Sequence, residues 1–185
     1  MSSEIKCSLM LMQTVFNFTF NESDIVNNIM IDDKITAVYI YSDNKKCFKY
    51  CINFVINIGR PVKVKLFRTG KMSICGLKSL QEHETVNNII IQALTPLIPN
   101  IIIIETKILS GRFNYAYNFT IDLNKIQAEH KVDYHPERFS GLIIRYDGIT
   151  VYIFKSGKVN FATSKMDLSE QTKHNLDVML LNYKL

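Results

Sequence analysis

The chain has 185 residues, enough for one domain or for two small ones sharing a core. Apolar residues make up 47% and charged residues 21%, an ordinary globular balance that excludes a disordered chain. The net charge of +5 is compatible with a polyanionic partner, and the longest apolar run, Ile101 to Ile104, excludes a membrane-spanning helix. Cys7, Cys47, Cys51 and Cys75 form no CxxC pair, and no histidine pair has zinc-like spacing. A soluble intracellular protein with free thiols and neither metal nor cofactor is expected. Asn17-Phe18-Thr19 and Asn118-Phe119-Thr120 match the glycosylation pattern, but no signal peptide precedes them.

In chain order, Phe16, Phe18 and Phe20 alternate with Asn17, Thr19 and Asn21, the period of a strand with one buried and one open face. A short helix is expected at Ser23 to Ile31. Val62, Val64 and Leu66 then alternate with Lys63, Lys65 and Phe67, so an aromatic falls on the otherwise polar side. Ser79 can cap a helix whose apolar positions Leu80, Val86, Ile89, Ile90, Ala93, Leu94 and Leu97 recur at helical spacing, closed by Pro96 and Pro99. The pieces then repeat. Phe113, Tyr115 and Tyr117 alternate with Asn114, Ala116 and Asn118, and a short helix is expected at Ile121 to His130. Val151 and Ile153 face inward while Thr150, Tyr152 and Phe154 face out. Ser164 or Asp167 can start a last helix with Leu168, Leu176, Met179 and Leu180 inward.

Gly70-Lys71-Met72 returns as Gly157-Lys158-Val159, 87 positions later (157 minus 70), with matching flanks. Phe16 to Asn21 returns as Phe113 to Asn118. The chain therefore reads as a duplication: residues 1–98 are a first repeat and residues 99–185 a second. Each is expected to run strand, helix, four strands, helix. Assembled, they predict an α+β fold with one curved antiparallel sheet and helices on a single face. His83, His130, His135 and His174 are scattered and read as surface histidines. No pair resembles a catalytic dyad, and enzyme activity is not expected.

The stretch Tyr134-His135-Pro136-Glu137-Arg138-Phe139-Ser140-Gly141-Leu142-Ile143-Ile144-Arg145, followed by Val151-Tyr152-Ile153-Phe154-Lys155-Ser156-Gly157-Lys158-Val159, resembles the core of the TATA-box-binding protein family. In the first half, Phe67-Arg68-Thr69-Gly70-Lys71-Met72 through Ser79 is similar to the same family's first repeat. The resemblance implies a pseudo-symmetric saddle of two such repeats, its concave sheet on the DNA minor groove and its helices on the convex face. It implies a transcription initiation factor that bends promoter DNA with phenylalanine wedges. Three wedges follow by motif: Phe67, Phe139 and Phe154. Phe48 is the fourth if the loop 42–47 acts as the first stirrup, whereas Tyr50 is the fourth if a spacing of 17 residues to Phe67 is kept. Phe48 is the first choice.

On the sheet face, the family's base-reading asparagine maps to Gln13 and Ser110 in a gap-free register, or to Asn17 and Asn114 by the internal repeat. Lys71, Lys158 and Arg145 fall where phosphate contacts are expected, with Arg112 and Lys65 on the same face; Lys63 and Lys65 also read as solvated rim lysines. Arg145 is equally placed to pair with Glu137 or Asp147. Ser73 and Cys75 in one half, and Asn160 and Ala162 in the other, stand where the family carries valine and threonine, so base preference is expected to differ from a TATA element. In the second stirrup Glu137 is kept while His135 and Arg138 replace partner contacts. The implied partners are double-stranded DNA and a transcription factor IIB-like factor or an RNA polymerase subunit, with no membrane. The Ile/Asn/Lys-heavy composition suggests an AT-rich genome such as that of a large DNA virus, and hence the nucleus or a cytoplasmic viral factory. A protein-interaction scaffold that has lost DNA binding is the alternative.

Overall fold

The computed structural model describes residues 4–40, 51–146, 148–164 and 168–185. Contacts divide the chain into two units, Met10–Leu109 and Met1–Leu9 with Ser110–Leu185. Residues 4–9 thus pack with the second repeat, and the early second-repeat residues with the first. The fold is α+β and antiparallel throughout.

In the first repeat, β1 (Lys6–Phe16) is followed by α1 (Glu22–Asn28), β2 (Ile35–Tyr39), β3 (Cys51–Asn57), β4 (Pro61–Phe67), β5 (Lys71–Leu77) and α2 (Leu80–Leu94). The strand order is β2-β3-β4-β5-β1, so the first strand closes against the last. Alternation decides the faces. Met10, Met12, Thr14 and Phe16 of β1, Ile52, Phe54 and Ile56 of β3, and Val62, Val64 and Leu66 of β4 are buried. Their neighbours Leu11, Gln13, Lys63, Lys65, Ser73 and Cys75 are half-buried or exposed. Ser79 caps α2 as expected, its hydroxyl accepting from the Glu82 N–H. Val86, Ile90 and Leu94 are the buried apolar positions of that helix, while Leu80 is exposed.

The second repeat runs β6 (Ile103–Ala116), α3 (Leu123–Glu129), β7 (Gly141–Tyr146), β8 (Ile149–Phe154), β9 (Lys158–Thr163), α4 (Leu168–Leu180) and a 3-10 turn, Leu181–Tyr183. Its order is β6-β9-β8-β7. Leu142, Val151, Ile153, Val159 and Phe161 form one buried cluster with Leu123 and Ile126 of α3 and Leu176 and Leu180 of α4. The helices therefore cover one face of this sheet only.

Four expectations need correction. Among the described residues the second repeat has three strands between its helices, not four; in place of a fourth there is a bridge between Asp133 and Ile143. Pro136 lacks an N–H for a ladder, and the His135 carbonyl accepts from both Arg138 and Phe139, which turns the chain instead. The short helices are trimmed to their caps: Asn21 and Asp122 accept from the N–H groups of Ser23 and Lys125 and fix both starts. His83 is not a surface residue. It is 4% exposed, with Nε2 2.9 Å from the Thr14 hydroxyl and 3.3 Å from the Asn87 amide. Burial holds its pKa below the ordinary histidine value.

The fourth correction concerns the repeat itself. The Phe16 N–H donates to the Gly70 carbonyl and the Tyr117 N–H to the Gly157 carbonyl, at 2.9 and 3.0 Å. The two first strands therefore align 101 positions apart (117 minus 16), four more than the motif match placed them. The equivalent of Asn17-Phe18-Thr19 is Asn118-Phe119-Thr120. Four is an even shift, so every face assignment survives. Gly70 and Gly157 are left-handed (φ +76° and +83°), and a Cβ at either would strike two backbone carbonyls of the facing segment, Phe16 and Phe18 or Tyr117 and Phe119. Only glycine fits both the conformation and the gap.

Candidate nucleic-acid interface

The open face of the second repeat is a cleft of about 620 Å³. Strand parity puts Arg112 and Asn114 of β6, Asn160 and Ala162 of β9, and Tyr152 and Phe154 of β8 on it. The rungs are fixed by pairing: Asn114 lies opposite Asn160, and Asn160 opposite Tyr152. One rung away, Arg112 faces Ala162, and Ala162 faces Thr150, the partner of Arg145. At the end of β8, Phe139 and Phe154 meet edge to face at 5.7 Å, and Phe139 also meets Tyr152 at 5.9 Å. Gly141, paired with Phe154, makes this possible: a Cβ there would lie 2.7 Å from the Phe139 ring and 3.0 Å from Phe154. Phe139 remains 40% exposed. Two aromatic rings thus stand together on an open polar face, with exposed Lys158 and Arg112 beside them.

The first repeat offers a parallel face. Gln13 of β1, Ser73 of β5, Lys65 of β4 and Asn53 of β3 make one continuous rung. Phe67 is half-buried at the end of β4, opposite Cys51, as Phe154 is opposite Gly141. Counting back two residues from Cys51, as Phe139 stands from Gly141, reaches Lys49, between Phe48 and Tyr50. All three lie outside the described residues. The pairing of Gln13 with Ser73 and of Asn114 with Asn160 makes Gln13 and Asn114 the equivalent pair. Ser110, half-buried, borders the cleft two rungs farther along β6. Asn17 lies beyond the end of β1, and its carboxamide is spent: Nδ2 donates to the Asn100 carbonyl at 2.9 Å and Oδ1 accepts from the Ile102 N–H at 2.8 Å. It pins the connection into the second repeat instead of reading a ligand.

A protein-family model described as transcription factor TFIID (or TATA-binding protein, TBP) matches residues 107–180. The chain is 48% identical over 59 residues to a TATA-box-binding protein of Pyrodictium occultum; the match spans 29% of this chain and 30% of that one. Its fold is that of Methanococcus jannaschii TBP, with a TM-score of 0.72 over 96% of this chain and 97% of the other, at 24% identity. Residues 107–180 thus match the TATA-binding protein family, and the fold is that of a TATA-binding protein. The family-model match falls in the second repeat, where the aromatic pair and the cleft are, while the structural likeness extends through both.

Around that TBP-like cleft the charges are unevenly committed. Lys71, Arg112 and Lys158 form no ion pair among the described residues. Arg145 does, through Nη1 to Asp133 Oδ2 at 3.3 Å, a partner that neither Glu137 nor Asp147 anticipates. Asp147 lies outside the described residues. In the second stirrup His135 stands 3.5 Å from both Asp133 and Glu137, and Arg138 is exposed beside them. Asp133 and Gly141 escape a sequence reading. The first is brought to Arg145 and His135 by the bridge to Ile143, and the second matters for a side chain it lacks. Among the described residues, no group of three or more His, Cys, Asp and Glu could hold a metal ion, and no helix is long and apolar enough to cross a membrane.

Proposed function

We propose that this chain is a TBP-like transcription initiation factor that binds the minor groove of duplex DNA with its open sheet faces and bends it. The observation that carries the reading is the Phe139–Phe154 pair, held edge to face over Gly141 with one ring largely exposed. Apolar side chains presented this way unstack a base step, and the bend they produce lets more protein surface reach the groove. Phe67 is the corresponding wedge of the first repeat, with Phe48 assigned as its companion. Lys71, Lys158 and Arg112 supply sequence-blind phosphate contacts, with Lys65 and Arg145 at the rim. The minor groove of A·T pairs offers only acceptors, which the amides of Gln13 and Asn114 and the hydroxyl of Ser73 can meet.

The helical faces and the second stirrup are left for protein partners, a factor IIB-like protein or a polymerase subunit. His135 and Arg138 beside Glu137 favour a partner more acidic than one suited to an all-acidic stirrup. Gel-shift titration of a random duplex pool at low salt tests the core of the proposal. A complex is expected whose affinity falls steeply with salt, as when several phosphates are neutralised, and whose DNA is bent by end-to-end fluorescence transfer. No complex at micromolar protein would leave the helical face as the working surface and the chain as an interaction scaffold.

A further inference from the structure

The cleft of the second repeat brings together rings, amides and cations, the three kinds of group that hold bases outside a duplex. Its volume of about 620 Å³ falls within the range of clefts that take small ligands, about 300–1,000 Å³. One wall is a series of three aromatic rings. Tyr152 meets Phe139 at 5.9 Å, and Phe139 meets Phe154 at 5.7 Å. Both contacts are edge to face, at 78° and 69°, so these rings do not stack on one another. Phe139 is largely exposed, and Tyr152 and Phe154 are half-buried. Ring surface that is wet and not stacked is what an unpaired base can cover. The charge beside the rings has one sign. Arg112 and Lys158 line the cleft and form no ion pair among the described residues, and no Asp or Glu is among the lining residues.

Across the floor, Asn114 lies opposite Asn160. The two amides can bond each other in the free protein, and each sets N–H donors beside a carbonyl. Such a pair can meet the Watson–Crick edge of any base, an edge that is open only when the base is unpaired. The matching rung of the first repeat differs in kind. It runs Gln13, Ser73 and Lys65 where the second runs Asn114, Asn160 and Tyr152, an ammonium in the place of a ring. We propose that the second-repeat cleft is a binding site for single-stranded nucleic acid, its rings stacking bases, its two amides meeting base edges, and Arg112 and Lys158 holding the backbone. This is a second use of the open face and does not rest on the minor-groove reading.

A strand of about twelve thymidines cannot pair with itself and lies within the usual footprint of single-strand sites. Fluorescence anisotropy should show it binding, and an abasic strand of the same length should bind roughly tenfold more weakly or worse, the share of one stacked base. Two phosphates neutralised by Arg112 and Lys158 predict a log–log salt slope of about −1.4. Tyr152→Leu should weaken the thymidine strand roughly fivefold and leave the abasic strand unchanged. Asn160→Asp is a second check, since its side chain has no hydrogen bond to lose among the described residues and a carboxylate there repels the backbone. A uridine strand run alongside separates the sources: binding of either supports the site, and the tighter one names DNA or RNA. Equal affinity for thymidine and abasic strands would reduce the site to charge and overturn the inference. Unchanged binding in both variants would place the strand elsewhere and overturn it too. A protein that binds duplex but neither strand loses this inference and keeps the minor-groove reading; one that binds a strand but no duplex does the reverse.

Discussion

Phe139→Ala separates a wedge from a packed ring by its effects on two different quantities. The residue is 40% exposed in the free protein. An aromatic side chain has on the order of 200 Å² to bury, so about 80 Å² remains available to a ligand. At about 25 cal/mol per Å² that is worth roughly 2 kcal/mol when the ring enters a base step, or about 30-fold in affinity. Folding has less at stake. The ring's contacts with Phe154 and Tyr152 are two edge-to-face pairs, each worth about 0.5–1.5 kcal/mol beyond area. A fully buried phenylalanine would instead cost about 3–5 kcal/mol of stability on truncation. Urea unfolding and DNA titration should therefore give a modest loss of stability beside a larger loss of affinity, together with a smaller bend. If stability falls by the full core amount while DNA affinity and bend are untouched, Phe139 is a packing residue and the wedge argument fails.

Two further outcomes follow from the fold. Gly157→Ala should cost at least about 2 kcal/mol and several degrees of thermal midpoint, because left-handed backbone strain adds to a Cβ overlapping the Tyr117 and Phe119 carbonyls. Gly59→Ala, with the same φ of +83° and nothing within 4 Å, should show only the backbone part, and equal losses would refute the close-approach argument. His83 is kept neutral by burial, with its folded pKa lowered from 6.5. The unfolded chain takes up the proton first, so the stability from this group is full above pH 6.5 and lost as pH falls towards the folded pKa. The thermal midpoint should drop between pH 7.5 and 5.5, and in His83→Gln the drop should shrink; an identical profile would show that His83 is not the group responsible.

The sequence is legible where two independent patterns agree. Lys63 and Lys65 alternate with Val62, Val64 and Leu66, and the Gly-Lys turn follows in both halves, so β4, β5, β8 and β9 could be placed with their faces. Ser79 stands out because a cap and a helical period coincide there. Phe-Asn-Phe and Phe-Asn-Tyr are locally alike, so local pattern alone sets the first strands four positions out of register. The true marker is which peptide meets the glycine turn, a contact between segments 54 and 40 residues apart (70 minus 16, 157 minus 117). His83 is a different case. It falls at helical spacing from Val86, Ile90 and Leu94, so the period of α2 itself marks the position as inward, while its partner Thr14 is 69 residues away at an inward position of β1. Only that partner, set by tertiary packing, has no local signature.

The two repeats fasten helix to sheet by different polar contacts, and this bears on how their open faces can diverge. In the first, Thr14 of β1 donates to Asn87 of α2 at 3.0 Å and meets His83, all three buried. In the second, Tyr117, which follows β6, donates to Asp177 of α4 at 2.5 Å, and Lys173 completes the group at 2.7 Å from the same carboxylate. Burial and the Asp177 bond push the Tyr117 pKa up, so its hydroxyl stays a donor. Buried polar pairs of this kind are costly to break one partner at a time, because the survivor is left without a bond. They therefore hold each helix to the inner side of its own sheet. The opposite side carries no such obligation: the side chains of Gln13, Ser73, Asn114 and Asn160 make no hydrogen bond among the described residues. Substitutions there change what the face can bind at little expense to folding. That is how a chain can keep the TBP fold at 24% identity while presenting a different set of donors and acceptors.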